Sequence, residues 1–122
     1  MPWFAIGALA AGLGVALGAF GAHGLKTRVS PEMLVVFETG ARYQMYHALG
    51  LLAVGWAATR APSSSAVSLA GWLFLCGIVI FSGSLYTMTF TGMRWLGAIT
   101  PLGGLCFIAG WVALAIGMWR QS

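Results

Sequence analysis

From Trp3 to Ala22 the chain reads "WFAIGALAAGLGVALGAFGA", without one charged side chain. About 20 apolar residues are what an α-helix needs to cross the hydrocarbon of a bilayer. No Lys or Arg precedes the apolar core and the run is too long for a secretory signal, so a membrane span is expected there. The rest of the chain points the same way. Six Lys or Arg and two Asp or Glu among 122 residues, with 60% hydrophobic, cannot coat a water-soluble globule with polar surface. Open sheets cannot cross lipid, which leaves helices.

Four spans are expected in a single domain covering 1–122: about 3–22, 31–60, 66–90 and 98–119. Ser30 can cap the second, with Pro31 in its first turn and Glu32 placed to favour the positive end of the helix dipole. No breaker follows until Arg60 and Pro62. "RAPSSS" links to the third span, and "TGMRW" to a fourth that Thr100 and Pro101 can cap and open. The expected fold is an all-α integral membrane four-helix bundle with antiparallel up-down topology.

Small residues suggest how the helices meet. Ala10, Gly14, Gly18 and Ala22 recur at every fourth residue, and Gly103, Gly110 and Gly117 at every seventh, two stripes that would let helix backbones approach closely. Cys76 and Cys106 lie in apolar runs without CxxC spacing and read as buried small hydrophobes. Folded antiparallel, the chain carries Trp3, Trp56, Trp72 and Trp119 to one membrane face, with Trp111 about two turns deeper. Tyr43, Tyr46 and Tyr86, both histidines and most charges go to the other. Lys26, Arg28, Arg42 and Arg94 on the tyrosine face outnumber Arg60 and Arg120, so the positive-inside rule puts that face in the cytoplasm and both termini outside.

The scarce polar groups gather in "FETGARYQMYHALG", Phe37 to Gly50. At about 100° per residue, Leu34, Phe37, Ala41, Met45, Ala48 and Leu52 form an apolar face, while Glu38, Arg42, Tyr43, Gln44, Tyr46 and His47 fill the remaining arc. Glu38 and Arg42 are spaced for a helix ion pair at the headgroup level. His47 is expected about 10 Å inside, where an ionisable group is costly and marks a functional-site candidate. "FSGSLYTMT" brings Ser82, Ser84 and Tyr86 to the same face, and His23 closes the first span. These ten residues form the candidate polar site. A structural histidine, a proton relay and haem ligation with His23 are the readings open for His47. Hydroxyls such as Ser82, Ser84 and Thr87 ordinarily bond to the preceding turn.

Several classes of chemistry lack their residues. There is no Asp, no HExxH, no GxSxG and no Gly-rich loop joining strand to helix. No enzyme, metal or cofactor is expected, and without a basic stripe no nucleic acid partner.

The runs "GAFGAHGLK", "FETGARYQMYHALGLL", "LFLCGIVIFSGSLY" and "ITPLGG" followed by "GW" closely resemble the domain of unknown function 423 family, small bacterial inner-membrane proteins with relatives among mitochondrial transmembrane proteins. The resemblance implies a four-helix membrane protein with its signature around the second helix, and no activity. Three functions are carried forward. The first is a non-enzymatic accessory subunit that joins a membrane protein partner or a homo-oligomer within the bilayer. The second is a small channel or transporter for a proton, ion or small polar solute. The third is a module binding lipid headgroup or quinone.

Overall fold

The computed structural model describes residues 1–121. Four helical rods pack antiparallel. The first, Trp3–Leu25, is α-helical to Phe20 and ends in a wider π-turn, Gly21–Leu25. The second, Pro31–Arg60, is α-helical throughout. The third, Ser65–Thr91, contains a π-turn at Ile78–Ser82. The fourth, Arg94–Trp119, starts as a 3-10 turn, Arg94–Ala98, and continues as α-helix from Thr100.

The links follow from local chemistry. Ser30 Oγ accepts the Met33 N–H (3.2 Å) and Pro31 occupies the first turn, so the second helix starts where its missing donor costs nothing. Ser64 Oγ does the same for Val67 N–H (3.2 Å). Gly92 closes the third helix in the left-handed region (φ 71°), where a Cβ would be strained. Thr100 is no cap. Its hydroxyl lies 3.2 Å from the Leu96 carbonyl, because helical structure has already begun at Arg94.

Three of the rods, the first, third and fourth, are long and apolar enough to cross a membrane. The second fails that measure, and the reason lies in its surroundings. Gln44 and His47 are buried together with Phe37, Gly40, Gly50, Leu51 and Val54, while Val35, Arg42, Tyr46 and Leu49 point outward. The expected apolar face is the buried one at Phe37, Ala41 and Ala48, but Gln44 and His47, expected in the polar arc, are buried beside it, while Arg42, Tyr43 and Tyr46 stay outside. Hydrocarbon cannot hydrogen-bond an amide or imidazole, so those two groups turn toward other helices.

Close packing uses a seven-residue spacing. Gly7, Gly14 and Gly21 are buried against the second helix. A Cβ on Gly7 would come within 2.8 Å of the Ala48 carbonyl oxygen, and one on Gly21 within 3.1 Å of the Phe37 ring. The expected stripe of Ala10, Gly14, Gly18 and Ala22 shares only Gly14 with this seam. Gly18 has open space at its Cβ position, Ala10 is half-buried and Ala22 is exposed. Four residues overshoot a full turn by about 40° each time, whereas seven fall only about 20° short of two turns, so the second spacing stays on one face. Gly103, Gly110 and Gly117 share that period and lie against Phe81, Phe74 and Val67 of the third helix. Cys76 and Cys106 are free thiols. Cys76 is exposed rather than buried, since it falls on the outer side of the third helix.

The core has a large and a small part. Trp3, Leu51, Val54, Val67, Phe74 and Phe107 anchor the larger, toward the end where Trp3 meets Trp72 edge-on at 5.2 Å. Met33, Leu85, Met88 and Leu96 form the smaller one at the opposite end.

Candidate functional site

The polar residues divide into an inner and an outer set. Within the inner set, the Gln44 side chain lies between two helices. Its Nε2 donates to the Ala10 carbonyl (2.9 Å), and its Oε1 accepts the Tyr86 hydroxyl (2.7 Å). One amide thus joins the first, second and third helices. Ser82 Oγ donates to the Gly40 carbonyl (2.6 Å) across the same interface, and Gly40 is tight because a Cβ there would stand 2.8 Å from the Tyr86 ring. Ser82 sits at the end of the π-turn, where one extra residue in the turn shifts the side chains that follow around the helix. Its bond crosses to another helix. Ser84 bonds to Phe81 in the preceding turn (2.9 Å) and shares a second hydrogen bond with the Thr100 hydroxyl (2.6 Å).

His47 is held on every side. The Trp111 indole N–H points to its Nε2 (3.1 Å), and its Nδ1 lies 2.7 Å from the Tyr43 carbonyl. An indole can only donate, so Nε2 must be an acceptor and the proton belongs on Nδ1, which donates to Tyr43. The imidazole lies flat on Phe107, centroids 3.5 Å apart and planes 5° from parallel, and also touches Phe74. A neutral, doubly bonded ring has no lone pair left for a metal or haem iron. Its two neighbours on the fourth helix, Phe107 and Trp111, are one turn apart. The legible signal for them was Trp111 itself, a tryptophan in mid-span while others sit near helix ends.

The outer set is less enclosed. His23 and Arg42 are exposed, Glu38 is half-buried, and Tyr43 and Tyr46 are 37% and 50% exposed, the Tyr43 ring resting on Phe81 of the third helix (centroids 4.8 Å). His23 and His47 do not come together. Nor does the Glu38–Arg42 pair form. Among the described residues the ion pair joins Glu32 to Arg94, Nη1 to Oε1 at 2.7 Å and Nη2 to Oε2 at 3.3 Å. The two-point fork fixes both side chains at once, which a single contact between neighbours on one exposed helix face does not. Sequence spacing gave no hint of it, because 62 residues separate the partners.

No three His, Cys, Asp or Glu side chains cluster as metal ligands among the described residues. A shallow groove of about 400 Å³ lies at the tryptophan end, lined by residues such as Phe4, Gly55 and Ala58, away from the polar set.

Residues 17–104 match the family described as "Protein of unknown function (DUF423)". The chain belongs to that family. It is 50% identical over 111 residues to the UPF0382 membrane protein YwdK of Bacillus subtilis, covering 91% of this chain and 90% of the relative. It is also 50% identical over 115 residues to a UPF0382 membrane protein of Staphylococcus saprophyticus, 94% of each chain. No solved structure matches. The DUF423 assignment thus brings a membrane setting, bacterial relatives and contact with a lipid bilayer, and leaves activity open.

The Gln44–Tyr86 bond offers a direct measure of the inner set. A double-mutant cycle of Gln44→Leu and Tyr86→Phe is expected to give a coupling of about 0.6 kcal/mol, with an upper bound near 1.7. Unfolding in detergent micelles reads it, and a coupling of zero would mean the two groups do not bond.

Proposed function

We propose that this DUF423 member is a non-enzymatic, complex-forming subunit of the bacterial inner membrane, with its tyrosine end toward the cytoplasm. One observation carries the reading. Among the described residues no buried side-chain nitrogen or oxygen lacks a hydrogen-bond partner. The inner polar groups are therefore spent within the bundle, and among the exposed groups that make no hydrogen bond or ion pair in the chain are Glu38 and Arg42, neighbours on the outer side of the second helix. An unsatisfied buried polar group is rare and calls for an explanation such as a catalytic role, and none is present among the described residues. The shortage of partners is on the surface, where another protein can meet it.

The same observation weighs against transport. A proton passing His47 would have to break its bond to Trp111, and Phe107 covers one face of the ring. Quinone binding through His47 meets the same obstacle.

Cross-linking in native membranes followed by mass spectrometry tests the proposal. A partner at fixed stoichiometry, or a defined homo-oligomer, is the expected result. A chain that remains solitary across growth conditions would sink it.

A further inference from the structure

The outward face of the second helix carries one acid and one base that nothing in the chain neutralises. At about 100° per residue, Val35, Glu38, Arg42, Tyr46, Leu49 and Ala53 fall within an arc of about 80° centred on Arg42. All six are exposed or half-buried. Among the described residues neither Glu38 nor Arg42 makes an ion pair, although they stand one turn apart. The helix has 30 residues and is about 45 Å long at 1.5 Å per residue. Taking Arg60 as one boundary puts both residues at the headgroup level, whereas centring a hydrocarbon layer of roughly 30 Å on the helix puts Arg42 about 9 Å and Glu38 about 3 Å inside. At either depth, an opposite charge beside each is favoured over leaving it unpaired on an outward face.

We propose that this face is a homodimer interface, in which Glu38 of each chain pairs with Arg42 of the other. Copies of one chain insert in the same orientation, so a two-fold axis along the membrane normal places both faces at equal depth. Such an interface is self-complementary, and every contact occurs twice. The two residues differ in height by about 6 Å along the helix, which an arginine side chain spans. Each Arg42 then reaches the partner's Glu38, and the dimer carries two bridges and no net charge at the contact. Deeper along the same arc, Ala53 lets the two backbones approach and Leu49 supplies packing. An anionic lipid answers the face less well, because a phosphate on Arg42 would stand beside the like charge of Glu38. A second copy brings both signs in the required places.

This inference rests on the complex-forming reading and narrows its partner. Energy transfer between donor- and acceptor-labelled copies in vesicles of phosphatidylethanolamine and phosphatidylglycerol tests it. The parent chain is expected to show transfer. Glu38→Arg and Arg42→Glu, each alone, set like charges against like and are expected to reduce association at least tenfold. Mixing the two variants restores opposite charges only between unlike chains, so transfer between donor-labelled Glu38→Arg and acceptor-labelled Arg42→Glu should return to near the parental level. A bridge within one chain could not be repaired by mixing. Should either variant fail to fold, Glu38→Gln and Arg42→Gln read the same contact, each with reduced transfer expected. The proposal is overturned by parental transfer in every variant, or by a mixture that stays dissociated. A parent without self-transfer that still holds a different stoichiometric partner overturns the dimer and leaves the complex-forming reading intact. A parent solitary in native membranes overturns both.

Discussion

Gly103→Ala is expected to destabilise the bundle by about 1–3 kcal/mol, and Gly103→Leu to keep the third and fourth helices apart. The added Cβ would stand 2.5 Å from the Phe81 backbone nitrogen and 2.8 Å from its Cα. Backbone inside a helix cannot step aside as a side-chain tip can, so the whole fourth helix must shift. That shift would also disturb Phe107 and Trp111, one and two turns further along, which hold His47. Gly12→Ala and Gly18→Ala provide the contrast, since nothing lies within 4 Å of either Cβ position. Removing a glycine's backbone freedom from a helix there should be neutral or stabilising by about 0.5–1 kcal/mol. Tryptophan fluorescence during unfolding in detergent micelles separates the cases. Equal behaviour of Gly103→Ala and Gly12→Ala would mean that the helices are not seated as described.

The second large effect belongs to His47. His47→Leu keeps an apolar side chain in place but strands the Trp111 N–H, at about 1–3 kcal/mol, and removes the ring contact with Phe107, at about 0.5–1.5 kcal/mol. A total loss of about 2–4 kcal/mol is expected from those two terms. Trp111→Phe added to His47→Leu removes the stranded donor, so the double variant should recover part of the loss. Full additivity of the two single losses would show that the bond contributes nothing. Tyr46→Phe, at a half-exposed ring whose hydroxyl bonds to nothing in the chain, should change stability by less than about 0.5 kcal/mol.

Much of the architecture was written in local features. Uncharged runs marked the first, third and fourth helices, and Ser30 followed by Pro31 marked the start of the second. Helix ends were harder to place, because π- and 3-10 turns extend the first helix to Leu25 and start the fourth at Arg94, and such turns leave no compositional trace. The candidate site was legible as a segment but not as a geometry. Periodicity can assign Gln44 and Tyr46 to different sides of a helix, yet it cannot say which side is buried when the solvent is lipid. The usual link between polarity and exposure fails there, and Gln44 is inside while Leu49 is outside. Glycine spacing misled in the first helix for a related reason. Any fourfold recurrence resembles a seam in the sequence, while contact over 20 residues requires a period that stays on one face. The Glu32–Arg94 fork and the Trp111–His47 bond lay beyond local reading altogether, since each joins residues more than 60 positions apart.

The second helix also constrains how the protein is made. Three helices are long and apolar enough to cross a membrane, and the second is not. Its Gln44 amide finds a partner in the Ala10 carbonyl of the helix synthesised just before it. Its other inner polar groups are met by Tyr86 and Trp111, both much later in the chain. Burial of the second helix is thus completed near the C-terminal end of the chain, and a chain cut short of Trp111 would leave His47 Nε2 without its donor.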